Sequence, residues 1–553
     1  MDIYPSKAQF STNETVTLCL ICDDVLPISV HIRVLLLSKT VWEQNIVLAE
    51  KKTTVSIGSF PATFAGYGVN VYQQGDLVKP ILQTAFDVAE SPRKLLRYGF
   101  LSDFTEKDRD NGALEWLLKC HINLVQFYDW SYRHDSLVAP QEDYHDMMGK
   151  EISGSTVKAK ITKAKALGMH PTAYGAVYAA SKPFFEKHPT WAFYNSCQEP
   201  FVFIDVFYIM NIAADSPWRK HLFEEYQNAI SMMGFSGIHM DTYGFPKTAY
   251  SHLDAIPKKV KLENELPTLI DETRENVHGE EEPYLIFNNV GAWPVQRTAD
   301  RKQDAVYIEV WPPYDRYASI AQLIRDARTY AKDDKSIILA AYLKPFREGK
   351  REKALPAARL LMGSIVSNGA THLLTGESQT ALTQGYYSDY TKFSDSEAEA
   401  IRRYYDYMIR YENLFFDPEL QDVTMTHTGW DNYEYQCTSH KVSSYGEAGK
   451  IWMILREKDY RKCIYLLNLC GQSEDYWNEG KEEPATQKDI KFTVQVDTPV
   501  ERICFSTPDG ENMDAVELPF TEKTTKTGKF IDFTVPSLNY WTTIWIDTRK
   551  ETI

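Results

Sequence analysis

Asp241 closes the run GFSGIHMD, and Glu309 closes VYIE. Each follows a short apolar stretch that reads as a buried strand, so each carboxyl is delivered at the exit of a hydrophobic element. Burying a charge without a partner is costly, so such a residue either caps something or does chemistry. Two facing carboxyls suit the cleavage of a glycosidic bond, in which one is ionised and attacks while the other is protonated and donates. Asp241 is assigned as the nucleophile. Glu309, flanked by apolar Val310, Trp311 and Pro312, is assigned as the general acid/base. The alternative for either is a structural carboxylate bonded to backbone N–H or Arg. Similar strand ends carry Tyr128, Asp129 and Trp130, then Asn288 and Asn289, with Trp311 and Asp315 around and beyond Glu309. Strand alternation points His239 the same way as Asp241. Amides and carboxylates bond sugar hydroxyls, and rings cover the apolar sugar faces.

Other chemistries find little support. The sequence has no H-E-x-x-H, no G-x-x-x-x-G-K-[ST], no G-x-G-x-x-G and no G-x-S-x-G. Asp241 with His239 could hold a metal, but no further ligand set surrounds them, and no metal or cofactor is expected. Cys19 and Cys22 form a C-x-x-C without a second Cys or His pair, inside the strand-like VTLCLICDD, and read as strand residues. A net charge of −16 gives no general attraction to nucleic acid or anionic membranes. No apolar run reaches 18 residues, so no transmembrane helix is expected. The N-terminus lacks a basic region followed by an apolar one. It therefore reads as cytoplasmic, or as secreted if a signal has been removed.

The elements that position these residues fall into three textures, and 553 residues exceed what one core can serve. Residues 1–95 alternate as in SVHIRV, with recurring turns, and read as a β-sandwich. Residues 96–412 hold eight short apolar runs separated by helical patterns. One is RYASIAQLIRDARTYAKDD, where Tyr317, Ile320, Ile324, Ala327 and Ala331 keep helical spacing. This predicts a catalytic (β/α)8 TIM barrel, with a doubly wound sheet as the alternative. The run EPFVFIDVFYIM (199–210) fits no barrel strand and is assigned to a long loop after the third. Residues 413–553 return to strands and read as a second β-sandwich. In a barrel the strand C-termini form the active face, which is where the residues above stand.

INLVQFYDWSYRHD (122–135), GFSGIHMDTYG (234–244), VYIEVWPP (306–313) and FAGYGVNVY (64–72) together resemble glycoside hydrolase family 66, the bacterial endo-dextranases and cycloisomaltooligosaccharide glucanotransferases. The resemblance implies an immunoglobulin-like N-terminal sandwich, a TIM barrel and a C-terminal Greek-key domain. It matches Asp241 to the nucleophile and Glu309 to the acid/base. Asp129, Trp130 and His134 match residues holding glucose units on the non-reducing side, and Asn288 or Asn289 with Asp315 would complete the subsite at the cleaved bond. The segments between strands leave no room for the carbohydrate-binding module inserted in the glucanotransferases. The expectation is therefore a retaining endo-α-1,6-glucan hydrolase, a dextranase acting on dextran or isomaltooligosaccharides. It would be a monomer or weak homo-oligomer, with neither nucleic acid nor membrane as partner. A transglycosylase or cyclising transferase, another α-glycoside hydrolase, and a non-catalytic glucan-binding protein are the alternatives.

Overall fold

A computed structural model describes residues 1–24, 27–429 and 432–549. Its centre is a parallel barrel of β1 (Tyr98–Leu101), β2 (Leu124–Phe127), β3 (His170–Ala176), β4 (Gly237–Asp241), β5 (Tyr284–Val290), β6 (Ala305–Glu309) and β7 (Ser336–Ala340). Each pairs in parallel with the next. The eighth position is split into β8 (Thr371–His372), which pairs with β7, and β9 (Thr375–Gly376), which returns to β1. The wall is thereby closed. At β9 a Cβ on Gly376 would lie 2.4 Å from the carbonyl oxygen of Phe100, so only glycine lets the last strand reach the first.

These strands are buried on both faces, which is why they read as near-continuous Val/Ile/Leu runs. Alternation sorts their side chains. Tyr98, Phe100, Tyr307 and Ile338 fill the interior. Ile238, Met240, Val306 and Ile308 face outward into the layer shared with the helices. Among those helices, α1 (Tyr317–Ala331) buries all five residues whose spacing predicted it. The 199–210 run forms two strands of a small antiparallel sheet between β3 and β4, with Ala179–Ala180 as the third strand.

Before the barrel, a three-stranded and a five-stranded sheet close over a core that includes Val16, Leu18, Val30, Ile32 and Val69. Cys19 lies within the strand Thr15–Ile21, opposite Tyr4 and Thr54. After the barrel, a seven-stranded and a four-stranded sheet enclose Ile451, Ile464, Phe492 and Ile544. Helix α2 (Asp395–Arg410) links them. It opens with a capping box between Ser394 and Glu397. It closes on Arg410, whose guanidinium donates to Asn70 Oδ1 at 2.9 Å and pairs with Asp514. Among the described residues no helix is long and apolar enough to cross a membrane.

Glu377, just past β9, fastens the closure. Its carboxyl accepts the backbone N–H groups of Ser102 and Asp103 at 3.1 Å and the Asn111 amide at 2.6 Å. Lys160 lies 3.4 Å away, and both charged side chains are buried. Glu377 therefore serves the wall rather than the pocket. Glu377→Ala strands Lys160 without its counter-charge, and should lower stability by about 3–5 kcal/mol in denaturant titration. A loss under about 1 kcal/mol would remove the closure from this role.

Candidate active site

The C-terminal ends of β3 to β7 surround a cavity of about 280 Å³ lined by both candidate carboxylates. Alternation aims His239 and Asp241 inward from β4, Asn288 from β5, and Tyr307 and Glu309 from β6. The Asn288 amide nitrogen donates to Asp241 Oδ1 at 2.7 Å and to Glu309 Oε2 at 2.9 Å. Two oxygens on one nitrogen cannot be further apart than those distances laid end to end. With the usual angle of about 120° between amide N–H bonds they stand about 5 Å apart. The outer oxygens are held by phenols: Tyr174 donates to Asp241 Oδ2 at 2.6 Å and Tyr342 to Glu309 Oε1 at 2.7 Å.

No Lys or Arg is among the cavity's described lining residues. Burial accordingly pushes both carboxyls up. Asp241 rises to about 7, with the neighbouring Glu309 charge as the second cause, opposed by the hydrogen bonds from Tyr174 and Asn288. Burial also raises Glu309, against its bonds to Asn288 and Tyr342. Two acids sharing one donor in a buried pocket disfavour a second negative charge there. His239 forms part of the floor, bonded through Nδ1 to the Tyr98 hydroxyl at 2.9 Å. Burial lowers it to about 3, which keeps it neutral. The buried carbonyl oxygen of Asn288 and the hydroxyl of Tyr243 have no partner among the described residues.

Of the sequence candidates, Asp241, Glu309, Tyr128, His239, Asn288 and Trp311 line this cavity. Trp311 is 40% exposed and sits at the mouth. Asp129 and His134 lie outside the lining. Asp129 has a positive φ of 51° and is raised to about 8 by burial and by Asp146. His134 packs its ring 5.7 Å from that of Tyr174, and burial lowers it to about 4.

Three expectations are corrected. Trp130 is not a stacking platform in the mouth. The left-handed turn at Asp129 is followed by an indole that is fully buried, 4.6 Å from the Phe235 ring, with Nε1 donating to the Tyr174 carbonyl. Asn289 alternates away from the pocket. It donates to the Tyr307 carbonyl at 2.9 Å and accepts from Thr298, so it is structural. Asp315 is exposed, and its carbonyl accepts the Trp477 N–H at 3.0 Å, which ties its loop to the C-terminal part.

Sequence reasoning gave no role to Tyr342, Tyr387 or Gly385. Tyr342 was within reach of alternation, two residues beyond the inward-facing Ala340 on β7. Tyr387 and Gly385 lie on the chain after β9, which carries no periodic signal. Tyr387 stacks on Tyr128 with ring centres 4.6 Å apart. A Cβ on Gly385 would meet Glu309 Oε1 at 3.3 Å and the Trp311 ring at 3.4 Å. Among the described residues no cluster of three or more His, Cys, Asp and Glu has metal-binding geometry.

A closed parallel barrel with two buried acids bonded to one amide among phenols has the make-up of a glycoside-cleaving enzyme. Residues 5–545 match Glycosyl hydrolase family 66, and the chain belongs to that family. Two cycloisomaltooligosaccharide glucanotransferases of Niallia circulans are similar at 22% and 21% identity, covering 88% and 91% of this chain. The chain spans 64% of the first relative's length and 67% of the second's. The first match runs over 642 positions, more than this chain's 553 residues, so that relative carries residues inside the span that this chain lacks. A cycloisomaltooligosaccharide glucanotransferase of Paenibacillus sp., solved with cycloisomaltoheptaose, superposes with a TM-score of 0.88 over 99% of both chains at 18% identity. A maltogenic α-amylase from Thermotoga neapolitana gives 0.52 at 11% identity, over 82% of this chain and 99% of its own.

Two predictions follow from burial. Trp130→Ala should cost about 3–5 kcal/mol of stability while leaving KM unchanged; a raised KM at unchanged Tm would return the indole to the substrate. Asp241 has its folded pKa raised, so the native protein holds a proton that the unfolded chain has released. Its stability therefore falls from about pH 4 to about pH 7 and then levels. Asp241→Asn does not titrate, so its Tm advantage over the native protein should widen across that window; a gap independent of pH would refute the assignment.

Proposed function

We propose that the chain rearranges α-1,6-linked glucan by double displacement and resolves the glycosyl-enzyme chiefly by transfer to a sugar hydroxyl. The observation that carries the mechanism is the single Asn288 amide shared by Asp241 and Glu309. A separation of about 5 Å suits retention, whereas inversion needs about 6.5–9.5 Å to admit a water between the acids.

In the first step Asp241 attacks the anomeric carbon as its bond to the linking oxygen breaks. Glu309 passes its proton to that oxygen, which leaves as a 6-hydroxyl. The product is a β-glycosyl ester on Asp241. In the second step the Glu309 carboxylate takes the proton of an incoming hydroxyl, whose oxygen displaces Asp241 and restores the α-configuration. If the hydroxyl belongs to the far end of the same chain, the product is a ring. If it belongs to water, the outcome is hydrolysis. The Asn288 carbonyl and the Tyr243 hydroxyl supply acceptor and donor capacity for sugar hydroxyls inside the pocket. Trp311 offers an exposed ring beside Glu309, on the side where the leaving or accepting sugar stands.

Transfer takes precedence over the endo-hydrolysis expected from sequence because the relatives matched along most of the chain are cycloisomaltooligosaccharide glucanotransferases. Endo-dextranase action is the second reading, favoured by the residues missing from the matched span.

Incubation with dextran, followed by chromatography and mass spectrometry, separates them. Cyclising transfer yields products one water lighter than the linear oligosaccharides and resistant to exo-glucosidases, and transfer between chains yields linear products longer than a short isomaltooligosaccharide supplied alone; shortened linear products alone would establish the second reading. Asp241→Asn and Glu309→Gln should each reduce turnover by about 10²–10⁴-fold with the fold intact. A β-anomer formed first, seen by nuclear magnetic resonance, would overturn double displacement.

A further inference from the structure

A second and larger cavity, about 600 Å³, opens at the opposite end of the barrel, where Leu95 precedes β1, Ser336 begins β7 and Thr371 begins β8. The start of an N-terminal strand at Phe64, the linker 416–422 and Arg456 of the C-terminal sheet complete its walls. None of the catalytic residues lies near it.

Two guanidinium groups converge there on one residue. Arg328, in the last turn of α1, donates to the carbonyl of Gly369 at 3.2 Å and to that of Lys335 at 2.8 Å. Arg456 lies against the other side of Gly369, where a Cβ would be 3.0 Å from its Nη1 and 3.2 Å from its Cζ. Arg456 is 8% exposed and donates to the carbonyls of Phe415 and Leu420. Arg328 is exposed into the cavity. Among the described residues neither guanidinium has a carboxylate within the 4.0 Å of an ion pair. Nearby carboxylates are engaged elsewhere: Asp417 and Glu419 with Lys458, and Asp422 with Arg325 at 3.7 Å. Glu90 and Asp334 are solvent-exposed.

Two like charges held together oppose each other, and the nearby Asp334 and Asp333 offset this for Arg328 only in part. Although its outer edge is exposed, Arg328 is lowered to about 10 by desolvation of its packed part, with the Arg456 charge second and Asp334 and Asp333 opposing. A dianion relieves that opposition, and a phosphoryl group matches the fork of N–H donors on each guanidinium. The volume left around the pair accommodates a small sugar, being within the range of small-molecule sites. We infer that this cavity is a binding site for a phosphate monoester of sugar size, with Arg328 and Arg456 holding the phosphoryl group. It is independent of the glucan reaction proposed above, and any effect on it would pass through the strand N-termini.

Calorimetry and thermal unfolding of the full chain, with glucose 6-phosphate and with inorganic phosphate, each against sodium chloride of matched ionic strength, test this. Both ligands should bind and raise Tm, with glucose 6-phosphate tighter if the sugar is also recognised and equal to phosphate if only the phosphoryl group is. Arg328→Gln should weaken binding about tenfold or more while leaving dextran turnover without ligand unchanged. Arg325→Gln, which alters the cavity edge, provides a second variant if Arg328→Gln does not fold. No binding above the chloride control, or binding unaltered in the folded variant, would overturn the inference.

Discussion

One amide organises this protein. Two carboxyls that repel each other are buried in a pocket whose described lining offers no cation, and the Asn288 NH₂ stands between them as a donor to both. Its reach sets the separation of the two oxygens it binds. Three neighbouring strands are needed to hold it: β4 for Asp241, β5 for Asn288, β6 for Glu309. Parallel register is what brings their ends level. Tyr174 from β3 and Tyr342 beyond β7 then fix the outer oxygens, so five consecutive positions of the wall converge on one pair of carboxyls. Buried polar groups are tolerated when such a network is satisfied, and this one is satisfied except where a sugar hydroxyl would complete it.

Much of this was legible because alternation is a rigid rule along a strand. Once GIHMD and AVYIE were read as strands, His239, Asp241, Tyr307 and Glu309 had to share a face, and barrel geometry put that face at the mouth. The rule failed where strands ended. Beyond Phe127 the chain enters a left-handed turn at Asp129, and Trp130 goes to the core instead of the mouth. Asn288 and Asn289 were indistinguishable by type; a one-residue phase decides that the first touches both acids and the second only backbone and Thr298. Asp315 belongs to a loop whose course is set by Asp475 and Trp477, some 160 residues away in sequence, which no local pattern encodes. Tyr387 and Gly385 come from an irregular chain where periodicity has no purchase.

The parts around the barrel are joined to it by polar knots rather than by a continuous apolar interface alone. Arg410 at the end of α2 is bonded both to Asn70 in the N-terminal sheet and to Asp514 in the C-terminal part, while Asp406 accepts from Thr84 and pairs with His121. Such knots are directional, since a displaced partner leaves a buried donor or acceptor without its bond. They fix the orientation of the flanking sheets, and with them the loop that carries Trp311 to the mouth.

The split eighth strand gives the barrel a buckle. Two residues pair on one side and one, Gly376, on the other, and the hoop depends also on side chains: Glu377 over the Ser102 and Asp103 amides, and Trp116 donating to Thr375 at 2.8 Å. Segments with the fewest ladder hydrogen bonds are the first to open in native-state fluctuations. The chain leaving the buckle is the one that lays Gly385 and Tyr387 against the acids and rings of the pocket. The segment that closes the wall and the segment that narrows the cleft are therefore one stretch of chain, so any displacement at the seam reaches the cleft directly.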